Sequence, residues 1–102
     1  MPVVSDALQR LDRELNLARQ EKTKLLKLIH GYGSTGEGGD IRIAVQRRLV
    51  EMTQSGQIRG YIFGENWSKS DELVWSLLQS HRELKADSDL GRRNRGITIV
   101  VL

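Results

Sequence analysis

The sequence contains no cysteine, two histidines and a single proline among its 102 residues. The missing cysteines exclude disulfides, thiolate metal sites and cysteine nucleophiles together. With only His30 and His81 present, a zinc centre would depend on carboxylates, so neither a metal nor a cofactor is expected. Pro2 lies ahead of the first predicted helix and interrupts nothing. No apolar run approaches the ~20 residues that a bilayer span needs, and no charged N-terminal stretch leads into a long apolar one. The expectation is a soluble, cytoplasmic protein with no membrane partner.

What is present fits one modest core. The chain is 38% hydrophobic and 28% charged, which places it among ordinary globular domains, and its length admits one domain rather than two. Sixteen Lys and Arg against thirteen Asp and Glu leave a net charge of +3, a balance that tolerates nucleic acid without requiring it. The distribution says more than the total. Acids concentrate between Asp6 and Glu21 and between Asp71 and Asp89, whereas Arg92, Arg93 and Arg95 stand together with no acid among them.

Leu8, Leu11, Leu15 and Ala18 recur at three- and four-residue steps and predict a helix from Ser5 to about Gln20, with Ser5 or Asp6 as its cap. Lys24 to His30 reads as a buried strand, followed by a glycine-rich loop from Gly31 to Asp40. A second helix is expected from about Ile41 to Ser55, with Gly56 taking its left-handed C-terminal position. Ile58 to Phe63 forms the next strand, Gly64 to Trp67 a turn, and Ser70 caps a third helix carrying Leu73, Val74, Leu77, Leu78 and His81 on one face. Ile97 to Leu102 is β-branched and apolar enough for a central or near-central strand. Alternating helices and strands predict a layered α/β fold with a small, mostly parallel sheet covered by helices.

Gly31, Gly33, Gly36, Gly38 and Gly39 put five of the ten glycines within nine residues, after a strand and before a helix. Glycine lets the backbone approach a ligand closely, and the helix that follows offers unpaired N–H groups to an anion. The segment is a candidate phosphate cradle, with turn geometry alone as the other reading. Gly31 to Gly36 satisfies G-x-G-x-x-G, yet a helix starting at Ile41 comes several residues too late for a dinucleotide site. A P-loop is excluded because no Gly-Lys-Ser or Gly-Lys-Thr occurs.

His30 closes the strand before this loop, either as a proton carrier or phosphate donor or as a local cap. Arg42, placed in the first turn of the second helix, is the strongest single candidate for a phosphate contact, since a guanidinium can engage two oxygens at once. Arg92, Arg93 and Arg95 either extend that surface with salt-sensitive backbone contacts or form a solvated loop. Tyr32 either stacks on a base or packs over the loop. In so aromatic-poor a chain, Trp67 and Trp75 are assigned to the core or to helix docking.

The run Lys27-Leu28-Ile29-His30-Gly31-Tyr32-Gly33, followed by Ser34-Thr35-Gly36, Gly38-Gly39 and Ile41-Arg42 and closed by Gly96-Ile97-Thr98-Ile99-Val100-Val101-Leu102, resembles the Smr (small MutS-related) domain. The likeness spans nearly the whole chain. It implies a compact two-layer α/β sandwich similar to the C-terminal domain of translation initiation factor three, and binding of DNA or RNA. It also implies DNA nicking or RNA cleavage; the residue reading above then makes His30 the candidate catalytic residue and puts residues 31–36, Gly38, Gly39 and Arg42 at the nucleic acid. The family's first strand, Leu-Asp-x-His-Gly, has no counterpart in this sequence, which opens Met1-Pro2-Val3-Val4. Residues 1–102 are expected to form one Smr-like domain in which half of the family's cleavage motif is not visible, either because an upstream strand lies outside this sequence or because this branch does without it. Two function classes follow: a nucleic-acid-binding domain with or without endonuclease activity, and a non-catalytic assembly module that dimerises through an open sheet edge.

Overall fold

A computed structural model describes residues 4–31 and 36–102. Helix α1 spans Val4–Gln20, strand β1 Leu25–Ile29, helix α2 Gly36–Gln54, strand β2 Gly60–Phe63, helix α3 Glu72–Ser80 and strand β3 Ile97–Val101. Short 3-10 turns at Gly64–Asn66 and Arg82–Ala86 flank α3. Its cap is Asp71 rather than Ser70: the Asp71 carboxylate accepts from the Val74 N–H at 3.1 Å.

The strand order is β1-β3-β2, so the last strand is central, as its unbroken apolar run predicts. Both pairings are antiparallel, with Leu28 and Phe63 each opposite Thr98. The mostly parallel sheet expected from the element order is therefore corrected. The unit β1–α2–β2 does return parallel, but one strand's width away, and β3 fills the gap running the other way. The reason lies in the connection from residue 64 to residue 96. Gly64, directly after β2, meets the backbone at the entrance to β3, where a Cβ on it would fall 1.8 Å from the Asn94 carbonyl oxygen. The chain thus re-enters the sheet at the end it left, and only an antiparallel strand can follow.

Alternation along the strands sorts the apolar residues into two cores. Leu28 and Val100 face α1 and α2, packing with Leu11, Leu15, Val45, Leu49 and Met52. Ile62, Ile97 and Ile99 face the other way, against Trp67, Val74 and Leu78. The second face is thus covered by α3 and the irregular chain around it. Arg48 of α2 holds Asp12 of α1 at 2.9 Å, tying the two long helices where they cross.

Helix α2 begins at Gly36, well before the expected Ile41. Glycine disfavours helix interiors by about 1 kcal/mol, but first-turn residues carry no intrahelical N–H bond, and acids such as Asp40 suit the positive end of the helix. Gly36, Gly38 and Gly39 therefore belong to the first helical turn rather than to a loop, and Arg42 falls in the second turn. The G-x-G-x-x-G pattern now does abut a helix. What excludes a dinucleotide fold is the sheet itself, since the strands flanking α2 are separated by β3.

Candidate nucleic-acid interface

The site forms where β1 ends and α2 begins. Gly31 holds φ at +76°, a left-handed turn that lets the His30 and Gly31 N–H groups both donate to the Gly96 carbonyl at 3.0 Å. The entrance to β3 is thereby clamped to the start of the glycine-rich segment.

Thr98, the one buried polar residue among those described, lies fully covered in β3. Its hydroxyl is 2.9 Å from His30 Nε2, while His30 Nδ1 is 2.7 Å from the Gly31 carbonyl. The carbonyl can only accept, so Nδ1 carries a proton and Nε2 of the neutral ring accepts from the threonine. Burial lowers the His30 pKa from its ordinary 6.5, opposed by the hydrogen bond to Gly31 and reinforced by the positive charge of Arg42. The imidazole is accordingly neutral at pH 7, with both nitrogens engaged.

Arg42 reaches this neighbourhood from α2, and its Nε is buried without a hydrogen-bond partner among the described residues. Leaving such a group unsatisfied costs about 1–3 kcal/mol, so the position calls for an explanation. From His30 a groove of about 490 Å³ runs past Ile41 and Val45 to Asp6, Arg10 and Glu14 of α1; Arg42 itself is not among its walls. The three α1 residues were missed in the sequence. Their i, i+4, i+8 spacing was the available signal, since it places all three on one helical stripe.

Of the predicted site residues, His30, Gly31, Gly36, Gly38, Gly39 and Arg42 come together at this end of the sheet. Tyr32, Gly33, Ser34 and Thr35 lie outside the described residues. Arg95 immediately precedes Gly96 and lies 3.6 Å from Glu65, but Arg92, Arg93 and Arg95 line different hollows from the one at His30. Lys27, not singled out in the sequence, organises their loop. Its Nζ binds Asp87, at 3.1 Å, and Asp89; Asp87 also accepts from Trp67 Nε1 at 2.9 Å, and Asp89 from Asn94 at 3.0 Å. Trp67 is buried as expected, whereas Trp75 is exposed and not part of the core.

No cluster of three or more metal-ligating side chains occurs among the described residues, and none of their helices is long and apolar enough to cross a membrane.

A split β–α–β unit closed by an antiparallel central strand, with a His-Gly turn at the mouth of a glycine-led helix, defines an α/β domain with the Smr fold. No family model matches the sequence, and no curated protein does. Among solved structures, the Smr domain of Thermus thermophilus MutS2 matches with a TM-score of 0.60 and 22% identity, over 98% of this chain and 86% of that one.

Proposed function

We propose that this domain binds the phosphate backbone of DNA or RNA at the mouth formed by the glycine-rich segment, the α2 N-terminus and Arg42, with His30 at the floor. The observation that carries this reading is the Arg42 guanidinium, beside a neutral histidine and with its buried Nε unpartnered among the described residues. A phosphate would supply acceptors for that group and would meet the positive end of α2. Binding outranks cleavage, because both His30 nitrogens are already engaged and a proton transfer would have to displace Thr98 or Gly31. Phosphodiester hydrolysis remains the family-level expectation that a cleavage assay decides.

The test is a salt-titrated binding assay against single-stranded, duplex and branched DNA and structured RNA, with product gels run with and without magnesium. Arg42→Ala is expected to weaken binding to all of them and to reduce the salt slope by about one. Unchanged affinity in a folded variant removes Arg42 from the site. Cleavage that disappears in His30→Ala makes the domain an endonuclease.

A second reading rests on the outer edge of β1. His30 N–H donates to Gly96 and Leu102 N–H to Lys24, so even-numbered residues turn toward β3 and Leu25, Lys27 and Ile29 turn their backbone groups outward. Ile29, at the end of that edge, is 81% exposed. An unpaired edge of this kind accepts another strand, and a homodimer formed through it is the assembly-module alternative. Light scattering that finds only monomer at high protein concentration removes it.

A further inference from the structure

The interface above uses the α1–α2 side of the sheet, and the opposite side carries an aromatic that packing does not explain. In α3, Val74 and Leu78 point into the second core, while Trp75 stands on the flank of that stripe and is 56% exposed. A side chain on a helix leans over the preceding turn, and Trp75 accordingly borders a hollow shared with Lys69, Ser70, Asp71, Glu72 and Ser76. Ser70 and Asp71 also wall the next hollow, whose far side is formed by Arg93 and Arg95. Indole and guanidinium groups thus border one continuous strip of surface.

The charges on this strip are unevenly committed. Asp71 is occupied as the α3 cap, Glu72 stands in the first turn of α3 at the positive end of that helix, and Glu65 faces Arg95. Lys69 and Arg93 have no acid within ion-pair distance among the described residues. The other exposed apolar residue of α3, Leu73, lies about 200° around the helix, so the neighbours of Trp75 are polar. A flat aromatic face ringed by polar groups and by charges of both signs, with no apolar neighbour beside it, suits a nucleobase better than an apolar protein patch.

We propose that Trp75 is a stacking platform for an unpaired base, with Arg93 and Lys69 taking the flanking phosphates. This rests on the nucleic-acid reading given above and narrows it to strands with accessible bases, since bases inside a duplex offer no free face to the indole.

The experiment measures the affinity of a labelled twelve-nucleotide thymidine oligomer and of a duplex of the same length for the full chain and for Trp75→Ala, Trp75→Phe and Arg42→Ala, with thermal melts confirming that each variant folds. Trp75→Ala is expected to weaken single-strand binding about five- to 150-fold, the range for one stacked base, and to leave duplex binding unchanged. Trp75→Phe should keep most of the affinity, and Arg42→Ala should weaken both ligands. Single-strand affinity within twofold of the parent in Trp75→Ala, while Arg42→Ala still weakens binding, overturns the platform and spares the phosphate site. Equal losses on single strand and duplex also overturn it, because stacking cannot act on paired bases. A parent chain that binds neither ligand overturns both proposals, and a change of sedimentation in Trp75→Ala with unaltered single-strand binding reassigns the face to a protein contact.

Discussion

The two faces of the sheet are closed by different physics. On one, α1 and α2 run 17 and 19 residues and bury a continuous apolar stripe against Leu28 and Val100. On the other, the nine-residue α3 leaves much of the cover to irregular chain, which has no hydrogen-bond ladder of its own. That chain is held by specific polar contacts: Trp67 and Lys27 on Asp87, Lys27 and Asn94 on Asp89, and the Gly91 N–H on the Trp67 carbonyl at 2.8 Å. A periodic helix spreads its stabilisation over many small apolar contacts, whereas an irregular segment depends on a few partners that must all be present. Arg92, Arg93 and Arg95 sit on the second kind of scaffold, Trp75 on the short helix packed beside it, and His30 with Arg42 on the first.

The largest effect is expected where the irregular side touches the sheet. A Cβ at Gly64 would lie 1.8 Å from the Asn94 carbonyl oxygen and 2.8 Å from that of Ile97, and backbone atoms cannot swing aside as a side-chain end can. Gly64→Ala should therefore cost on the order of 3–5 kcal/mol in a urea titration, at the upper end for overpacking. Its counterpart on the helical side is Leu49→Ala, a fully buried residue whose truncation should cost about 3 kcal/mol by loss of burial and an unfilled cavity. If Gly64→Ala proves milder than about 1 kcal/mol, the loop yields at this point and the contrast between a tolerant and an exacting face fails.

A gentler comparison uses one residue type on both sides. Asp87 takes a hydrogen bond from the buried Trp67 indole and one from the Asp89 N–H, and it also pairs with Lys27. Asp87→Ala should cost about 2 kcal/mol, because the indole N–H is left without its acceptor. Among the described residues Asp12 makes only its half-exposed pair with Arg48, and Asp12→Ala should cost less than about 1 kcal/mol. Equal costs would show that the Asp87 network does not hold the irregular face.

Helical periodicity made most of the fold legible, and the parts that escaped share a cause. Leu11, Leu15, Val45 and Leu49 repeat at helical spacing, so their stripes could be read directly. The apolar run from Ile97 likewise marked a central strand. Strand direction was not readable, because it is decided by where residues 64–96 return to the sheet, a contact between Gly64 and Asn94 that no local pattern encodes. Glycine content hid the first turn of α2, where propensity yields to the free N–H groups of a helix end. At the site, His30 and Arg42 could be proposed from their neighbours in sequence. The Thr98 partner sits 68 positions away and emerged only with the register of β1 on β3. Lys27 escaped for the same reason, since its acids lie 60 or more positions along the chain.

The smallest expected effect separates the faces by pH. On the helical side, burial lowers the His30 pKa, so the unfolded chain takes up its proton first as the pH falls. The stability this residue contributes is complete above 6.5 and is lost as the pH drops from there through the folded value. On the irregular side, hydrogen bonds from Trp67 and Lys27 outweigh desolvation at Asp87, and those from Asn94 and Lys27 do so at Asp89, holding both acids below the usual 3.8. Their stability is complete above 3.8 and is lost as the pH falls through the folded values. Lys27 is raised above 10.5 chiefly by Asp89, so its share is complete below 10.5 and is lost as the pH rises through the folded value. An alkaline decline that Lys27→Met abolishes therefore belongs to the irregular face, and a weakly acidic decline that His30→Gln abolishes belongs to the helical one. Carbon-detected NMR of the two histidines supplies the site-level check: the His30 midpoint should lie below 6.5. A midpoint at or above that value would mean that burial does not disfavour the charged ring, and that the charged ring is held by Thr98 accepting rather than donating the hydrogen bond.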